Sequence, residues 1–135
     1  MVWLYNSKEL TDEDIPEEAI GFIYKITNNV SGRKYIGKKL LTMAGTKQVK
    51  GKKKKIRKQS NWKDYWSSCD ELKEDVLEIG KDKFTREIIC FTHTISIHTY
   101  LENKYLYINE VLESDDWYNS NISSKIFKNR ILGHV

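Results

Sequence analysis

The stretch Gly21-Phe-Ile-Tyr24-Lys-Ile-Thr-Asn28-Asn-Val-Ser-Gly32-Arg-Lys-Tyr35-Ile-Gly37-Lys38-Lys39-Leu40 decides the fold of this chain. Two short runs rich in β-branched and aromatic residues, 21–27 and 33–40, flank Asn-Asn-Val-Ser-Gly, whose residue types favour turns, so the segment reads as a β-hairpin. With the turn centred between Val30 and Ser31, paired positions sum to 61: Tyr24 faces Gly37 and Ile26 faces Tyr35. Tyr24 and Tyr35 then lie on one face as diagonal neighbours, roughly 7–8 Å apart. A slip of one residue would put them on opposite faces. Two phenols on one face, beside a glycine that lets a ligand approach the backbone and followed by Lys38 and Lys39, suit a phosphate. They equally suit ordinary cross-strand packing.

Outward from the hairpin, the charge is unevenly placed. The formal net charge of the 135 residues is +4, yet residues 1–32 carry −4, residues 64–135 carry −5, and residues 33–63 hold thirteen Lys or Arg and no acid. Such a block on an otherwise acidic body is the electrostatic footprint of a polyanion, since each cation placed near a phosphate releases condensed counterions. A solvated loop that only maintains solubility is the plainer reading. Lys38, Lys50, Lys52, Lys53, Lys54, Lys55 and Lys58 are the candidate nucleic-acid contacts.

At 16.0 kDa, with 39% hydrophobic residues and a single proline, the chain is read as one folded domain rather than a disordered or repetitive polymer. Cys69 and Cys90 form no metal or disulfide pattern, no apolar run could span a bilayer, and no leader pattern opens the sequence. A cytoplasmic location is therefore expected, and no membrane partner.

Residues 6–20 are acidic and read as a capped turn or short helix outside the main core. Residues 41–60 lack a helical period and are interrupted by Gly45 and Gly51, so a long basic loop or extended β-like excursion is expected. Ser68 and Glu71 fit a capping box for a helix over 69–80, with Leu72, Val76 and Ile79 at helical spacing and Gly80 at its end. Residues 84–95 read as a third strand. Ile97, Leu101, Tyr105, Ile108 and Leu112 predict a second amphipathic helix over 96–113, and a short helix is expected around 123–130. The expected fold is α+β: a small three-stranded antiparallel sheet, the hairpin plus a third strand, flanked by helices. The division is an acidic extension over 1–20 and a domain over 21–135 with a basic insertion at 41–60.

Gly21-Phe22-Ile23-Tyr24, ten residues, then Tyr35-Ile36-Gly37 resembles the paired signature of the GIY-YIG nuclease superfamily. Glu102 with Asn103 on the second amphipathic helix resembles that family's metal-binding glutamate helix, and Tyr118-Asn119 its Tyr-Asn pair. The order strand, strand, helix, strand, helix is also the family's, over about residues 21–121. Two elements depart. Phe22 stands where the first motif has glycine, and the place of the family's catalytic arginine falls at Gly45. Arg57 is the candidate replacement if the basic segment folds back over the hairpin, with Lys39 the alternative. Tyr-Ile-Gly-Lys-Lys, the lysine-rich excursion and Ser60-Asn-Trp-Lys-Asp-Tyr-Trp-Ser-Ser68 look like a phage-encoded, homing-endonuclease-like subgroup. A phage origin would place the protein in the cytoplasm of a bacterial host.

The resemblance implies a divalent-metal-dependent DNA endonuclease. Glu102 would supply one carboxylate to a Mg²⁺ (or Mn²⁺) whose other positions are waters and substrate oxygens. Tyr24 would orient or deprotonate the attacking water, and Tyr35 would bond the scissile phosphate or share that role. A phenol of pKa about 10 needs neighbouring positive charge to act as a base. Arg57 or Lys39 would neutralise phosphoryl charge, Asn119 would fix local geometry, and His98, at the start of the Glu102 helix, would serve as an auxiliary base. The expected partner is double-stranded DNA. One site cuts one strand, so a double-strand break needs a homodimer or two nicks. A non-cleaving nucleic-acid-binding module on the same fold is the alternative, and a basic protein that binds an acidic protein partner is a third.

Overall fold

In the computed structural model, residues 2–122, 128–131 and 133 are described. β3 (Gly21–Asn28) and β4 (Lys34–Leu40) form the expected antiparallel hairpin in the expected register, Tyr24 opposite Gly37 and Ile26 opposite Tyr35. The turn is pinned by Asn28, whose Oδ1 accepts the backbone N–H of Val30 and Ser31 at 2.9 and 3.2 Å. β7 (Phe84–Thr92) pairs antiparallel with the other side of β3.

The sheet does not stop at three strands. β1 (Trp3–Tyr5) adds to β7 in parallel and β2 (Lys8–Glu9) completes a five-stranded mixed sheet in the order β2-β1-β7-β3-β4, which corrects the expected three-stranded antiparallel sheet. β1 pairs with residues more than eighty positions away, and three residues cannot display a period, so no local pattern announces it. What holds it is tertiary: Trp3 is buried, its indole N–H donates to the Trp62 carbonyl at 3.0 Å, and its ring stands edge-on to Phe22 and Tyr24. In the acidic stretch, Thr11 caps a short 3-10 turn over Asp12–Asp14, with Asp14 accepting its backbone N–H at 2.9 Å, while Leu10, Ile15 and Ala19 pack against the core.

The basic segment is also ordered, as a ribbon rather than the loop that one reading of the sequence favoured. β5 (Thr42–Val49) and β6 (Lys52–Gln59) pair with each other alone as a second, two-stranded sheet. Lys50 (φ 51°) and Gly51 (φ 79°) form the turn, and positive φ at both positions is the condition of a type I′ hairpin. Gly51 is therefore the turn itself and not an interruption of it. Lysine has little β preference, which hid the strands.

α1 (Asp70–Ile79) lies where expected, ended by Gly80 at φ 108°. Its capping box is absent: Cys69 is the N-cap, and its N–H is taken by Ser67 Oγ at 3.0 Å. α2 (Ile95–Ile108) opens on Thr94, whose Oγ accepts the Ile97 N–H, and closes five residues before the expected end. Glu110, at φ 52°, turns the chain there, which lets Val111 reach back under the helix. Of the helix expected at 123–130, residues 123–127 lie outside the described residues, and α3 (Lys128–Ile131) is a single turn.

The sheet is covered on both faces, which is why β3 reads as an almost unbroken apolar run. On one face Phe22, Tyr24, Ile26 and Ile88 pack with Trp3, Trp62 and the α1 residues Leu72 and Val76. On the other, Ile23 and Ile36 pack with Leu106 and Val111 from α2 and the turn after it. No helix among the described residues is long and apolar enough to cross a membrane.

Candidate active site

The tyrosine pair forms as the register demands, with ring centroids 6.1 Å apart and planes inclined by 35°. Gly37 lies directly beneath. A Cβ there would stand 2.5 Å from the Tyr24 hydroxyl oxygen and 2.9 Å from Tyr35 Cε1. The space that glycine opens is thus filled by the phenols themselves rather than left for a ligand. Tyr24 is 1% exposed, ringed by Trp3, Phe22 and Tyr65. A register shift between Ile23 and Tyr24 leaves Ile89 as an extra residue in β7 beside Tyr24, a bulge of the kind that re-aims side chains next to functional sites.

Burial raises the Tyr24 phenol well above its ordinary pKa, and the neighbouring Tyr35, Tyr65 and Glu102 push it the same way. Tyr35 is raised too, again chiefly by burial, with a hydrogen bond from Ser68 working against the shift. Both phenols are therefore protonated at neutral pH. They are hydrogen-bond donors, and the depression that a tyrosine base requires is absent from the free protein.

The other components meet at the edge of the sheet. β4 is the last strand, and the polar groups of its free edge are taken one after another. Lys34 exchanges hydrogen bonds with the carbonyl of Asp116 and the N–H of Tyr118. Asn119 then clamps Ile36, its Oδ1 accepting the backbone N–H at 3.1 Å and its Nδ2 donating to the carbonyl at 2.8 Å. Glu102 reaches from α2 to the same edge, where the backbone N–H and the ammonium of Lys38 both favour its charged form. This edge lets a carboxylate carried by the helix on one face act electrostatically on tyrosines lying on the other. Burial raises the Glu102 pKa, partly offset by the Lys38 charge, so the carboxylate is held with its negative charge under-solvated.

Lys39 follows Tyr35 and Gly37 on the same face of β4, and its ammonium sits 4.1 Å above the Tyr65 ring, with burial lowering its pKa. Arg57 is exposed and held elsewhere, its guanidinium donating to Thr42 Oγ and O at 3.1 and 2.8 Å across the root of the ribbon. The structure thus gathers Lys39 with the tyrosines and ties Arg57 to Thr42. Lys38 is drawn to α2, its ammonium donating to Thr99 Oγ at 2.9 Å. Lys50, Lys52, Lys53, Lys54, Lys55 and Lys58 all lie exposed on the ribbon.

His98 is 3% exposed, with Nδ1 2.7 Å from Thr92 Oγ and its ring against Gly21. Burial, with Lys38 adding to it, pushes its pKa down to about 4, so it is neutral and enclosed. This environment suits a packing role better than proton exchange with a substrate.

Two contributors escaped the sequence reading. Tyr65 stands edge-on to Tyr24 at 6.0 Å, helps to keep its phenol protonated, and carries the Lys39 ammonium on its face. Arg86 lies between Trp3 and Trp66, 4.6 and 4.4 Å from their centroids, and donates to the carbonyls of Lys63 at 3.1 Å and Tyr65 at 2.9 Å. It fixes the loop that presents Tyr65. The aromatic density of 62–66 was visible in the sequence, but nothing local connects it to Arg86 or Tyr24.

Among the described residues no three His, Cys, Asp or Glu side chains cluster. The oxygen donors here are one under-solvated carboxylate and the phenols. A hard cation that keeps most of its waters fits such a set, and a structural zinc does not.

A family model described as "Putative endonuclease segE, GIY-YIG domain" matches residues 3–122. The chain belongs to the GIY-YIG nuclease superfamily. No curated protein and no solved structure gives a match. GIY-YIG proteins are nucleases that generally depend on a divalent metal. The match starts at residue 3, in agreement with β1 being part of this GIY-YIG sheet. Phe22, which replaces the glycine of the first motif, is fully buried against Trp3 and Trp62 and belongs to the core.

Proposed function

We propose that this GIY-YIG protein is a divalent-metal-dependent endonuclease of double-stranded DNA. The observation that carries the reading is the convergence of the Tyr24–Tyr35 pair, the Lys39 ammonium and the Glu102 carboxylate around one edge of β4. Glu102 would hold the cation, Mg²⁺ or Mn²⁺, which when bound supplies Lewis-acid stabilisation of phosphoryl oxygens and of the leaving alkoxide. The protein's own groups do the rest. Protonated Tyr35, the more accessible phenol, donates to a non-bridging oxygen of the scissile phosphate. Tyr24, backed by Tyr65, orients the attacking water; as the new P–O bond forms and the scissile one breaks, the water gives its proton to solvent and the leaving oxygen takes one from solvent. Lys39 offsets the negative charge that grows on the phosphoryl group, a preorganised electrostatic contribution. Asn119 acts as a positioning residue by fixing β4 at Ile36.

The decisive experiment incubates supercoiled plasmid with the protein and Mg²⁺, with EDTA, and with the Glu102→Ala variant. Nicked or linear product that needs both the metal and Glu102 is expected. Cleavage surviving EDTA and the substitution alike would sink the reading, and retarded but uncut DNA would favour the non-cleaving module. The ratio of nicked to linear product over time reports whether two strands are cut in one encounter or in sequence.

A further inference from the structure

The β5–β6 ribbon contains eight Lys or Arg and no acid within Thr42–Gln59. Two of its lysines, Lys47 and Lys54, stand directly opposite each other, an arrangement that destabilises a strand pair. Among the described residues none of the eight is paired with a carboxylate. The ribbon packs on nothing else for most of its length, yet it is firmly rooted. Ser60 donates to Leu41, Leu41 donates to Ile20, and Arg57 grips Thr42. Its two ends join the site itself, Lys39 just before β5 and Tyr65 shortly after β6. A self-repelling arm rooted beside the proposed nuclease site has a polyanion as its complement.

Strand alternation sorts the side chains into two faces. Ala44, Thr46 and Gln48 lie across from Arg57, Lys55 and Lys53 on one, which is rich in hydrogen-bonding groups. The other carries Met43, Val49 and Ile56 among lysines. The major groove of B-DNA, about 12 Å wide, admits a two-stranded ribbon, and Gln, Lys and Thr side chains can address its base edges. The major groove of an A-form RNA duplex is too deep and narrow for such an element.

We propose that the ribbon enters the major groove of B-form DNA, with Thr46, Gln48, Lys53 and Lys55 facing the base edges. Seven steps of about 3.3 Å carry the chain roughly 23 Å from root to tip, about seven base pairs at 3.4 Å each. The arm therefore lies on one side of the cut and makes the complex asymmetric. This rests on the nuclease reading above, because the root places the arm relative to the scissile phosphate.

The test uses the full chain, a duplex containing one cleavage position, and two variants. One replaces residues 46–55 by Asn-Gly, shortening the ribbon and removing six lysines; the other is Lys53→Gln/Lys55→Gln in the full-length ribbon. Wild-type protein should show protection reaching about seven base pairs to one side of the cut. Its binding should be blocked there by methylation of guanine N7, in the major groove, and not of adenine N3, in the minor groove. The salt dependence of log K should become shallower by up to about 5 in the shortened variant, near 0.9 per lost phosphate contact; in the double substitution, whose two lysines face base edges, it should fall by less than about 2 while the block by guanine N7 methylation is relieved. Wild-type slope and footprint in both variants, interference at adenine N3, or an equal footprint on duplex RNA would each overturn the groove assignment while leaving the nuclease reading intact. Wild-type protein that neither binds nor cuts DNA would overturn both.

Discussion

Gly37→Ala tests whether the tyrosine pair is the chemical centre. The added methyl would meet the Tyr24 hydroxyl oxygen at 2.5 Å, Cζ at 2.7 Å and Tyr35 Cε1 at 2.9 Å, whereas ordinary contact begins at 3.4 Å. The Tyr24 oxygen must retreat by 0.9 Å, the difference between those distances. It cannot do so freely, because Trp3 and Tyr65 stand edge-on to its ring at 5.6 and 6.0 Å. Overpacking of this kind costs about 1–3 kcal/mol of stability, which leaves an ordinary domain folded. A displacement of about 1 Å in a catalytic array costs on the order of 10²-fold in rate, about 2.7 kcal/mol of transition-state stabilisation. Single-turnover cleavage of plasmid, measured well below the melting temperature of the variant, should therefore fall about a hundredfold while DNA affinity changes little. Tyr24→Phe, which keeps the ring and removes the hydroxyl, separates chemistry from packing and should also cut slowly. A folded Gly37→Ala protein that cleaves within about threefold of wild type would refute the reasoning.

Lys39→Ala should reduce the cleavage rate more than Arg57→Ala, since the first ammonium stands beside the phenols and the second guanidinium is bound to Thr42; the reverse order in single-turnover assays would return the family arginine's part to the ribbon. The pH profile should be bell-shaped. As pH falls, Glu102 takes up a proton at a higher pH than an ordinary glutamate and would give up the cation proposed for it, and as pH rises, Lys39 loses its charge earlier than an ordinary lysine. Both limbs therefore move inward, and Mg²⁺ affinity titrated against pH should follow the acid limb alone. Tyr118→Phe removes the hydroxyl that donates to Asp75 at 2.6 Å and accepts from Asn28 at 3.0 Å. The Asn28 amide is then left buried without that partner, and thermal or urea unfolding should register a loss of about 1–3 kcal/mol.

The ribbon and the N-terminal strand show two different reasons for illegibility. In the ribbon the signals were present, a two-residue Lys-Gly turn between equal lengths of chain, but lysine weakens β preference and the repeated charge resembles a solvated loop. At Trp3–Tyr5 there was no signal to find, because the strand is specified by β7 and by the pocket that Phe22, Tyr24 and Trp62 make for one indole. The site divides the same way. Tyr24, Tyr35 and Gly37 follow from the hairpin register, and Glu102 and Asn119 were found through resemblance, whereas Tyr65 and Arg86 come into play only through contacts across the fold.

The sequence by itself determined the hairpin, its register and the shared face of the two tyrosines, because a period of two and a short turn are local properties. It also determined where the positive charge lies, and its motifs pointed to the family. Only the tertiary structure decided the protonation of the phenols, since desolvation depends on Trp3, Phe22 and Tyr65 closing over Tyr24 from separate parts of the chain. It likewise decided that Lys39 rather than Arg57 shares their company, and that the capped free edge of β4 is where a helix on one face and a tyrosine pair on the other meet.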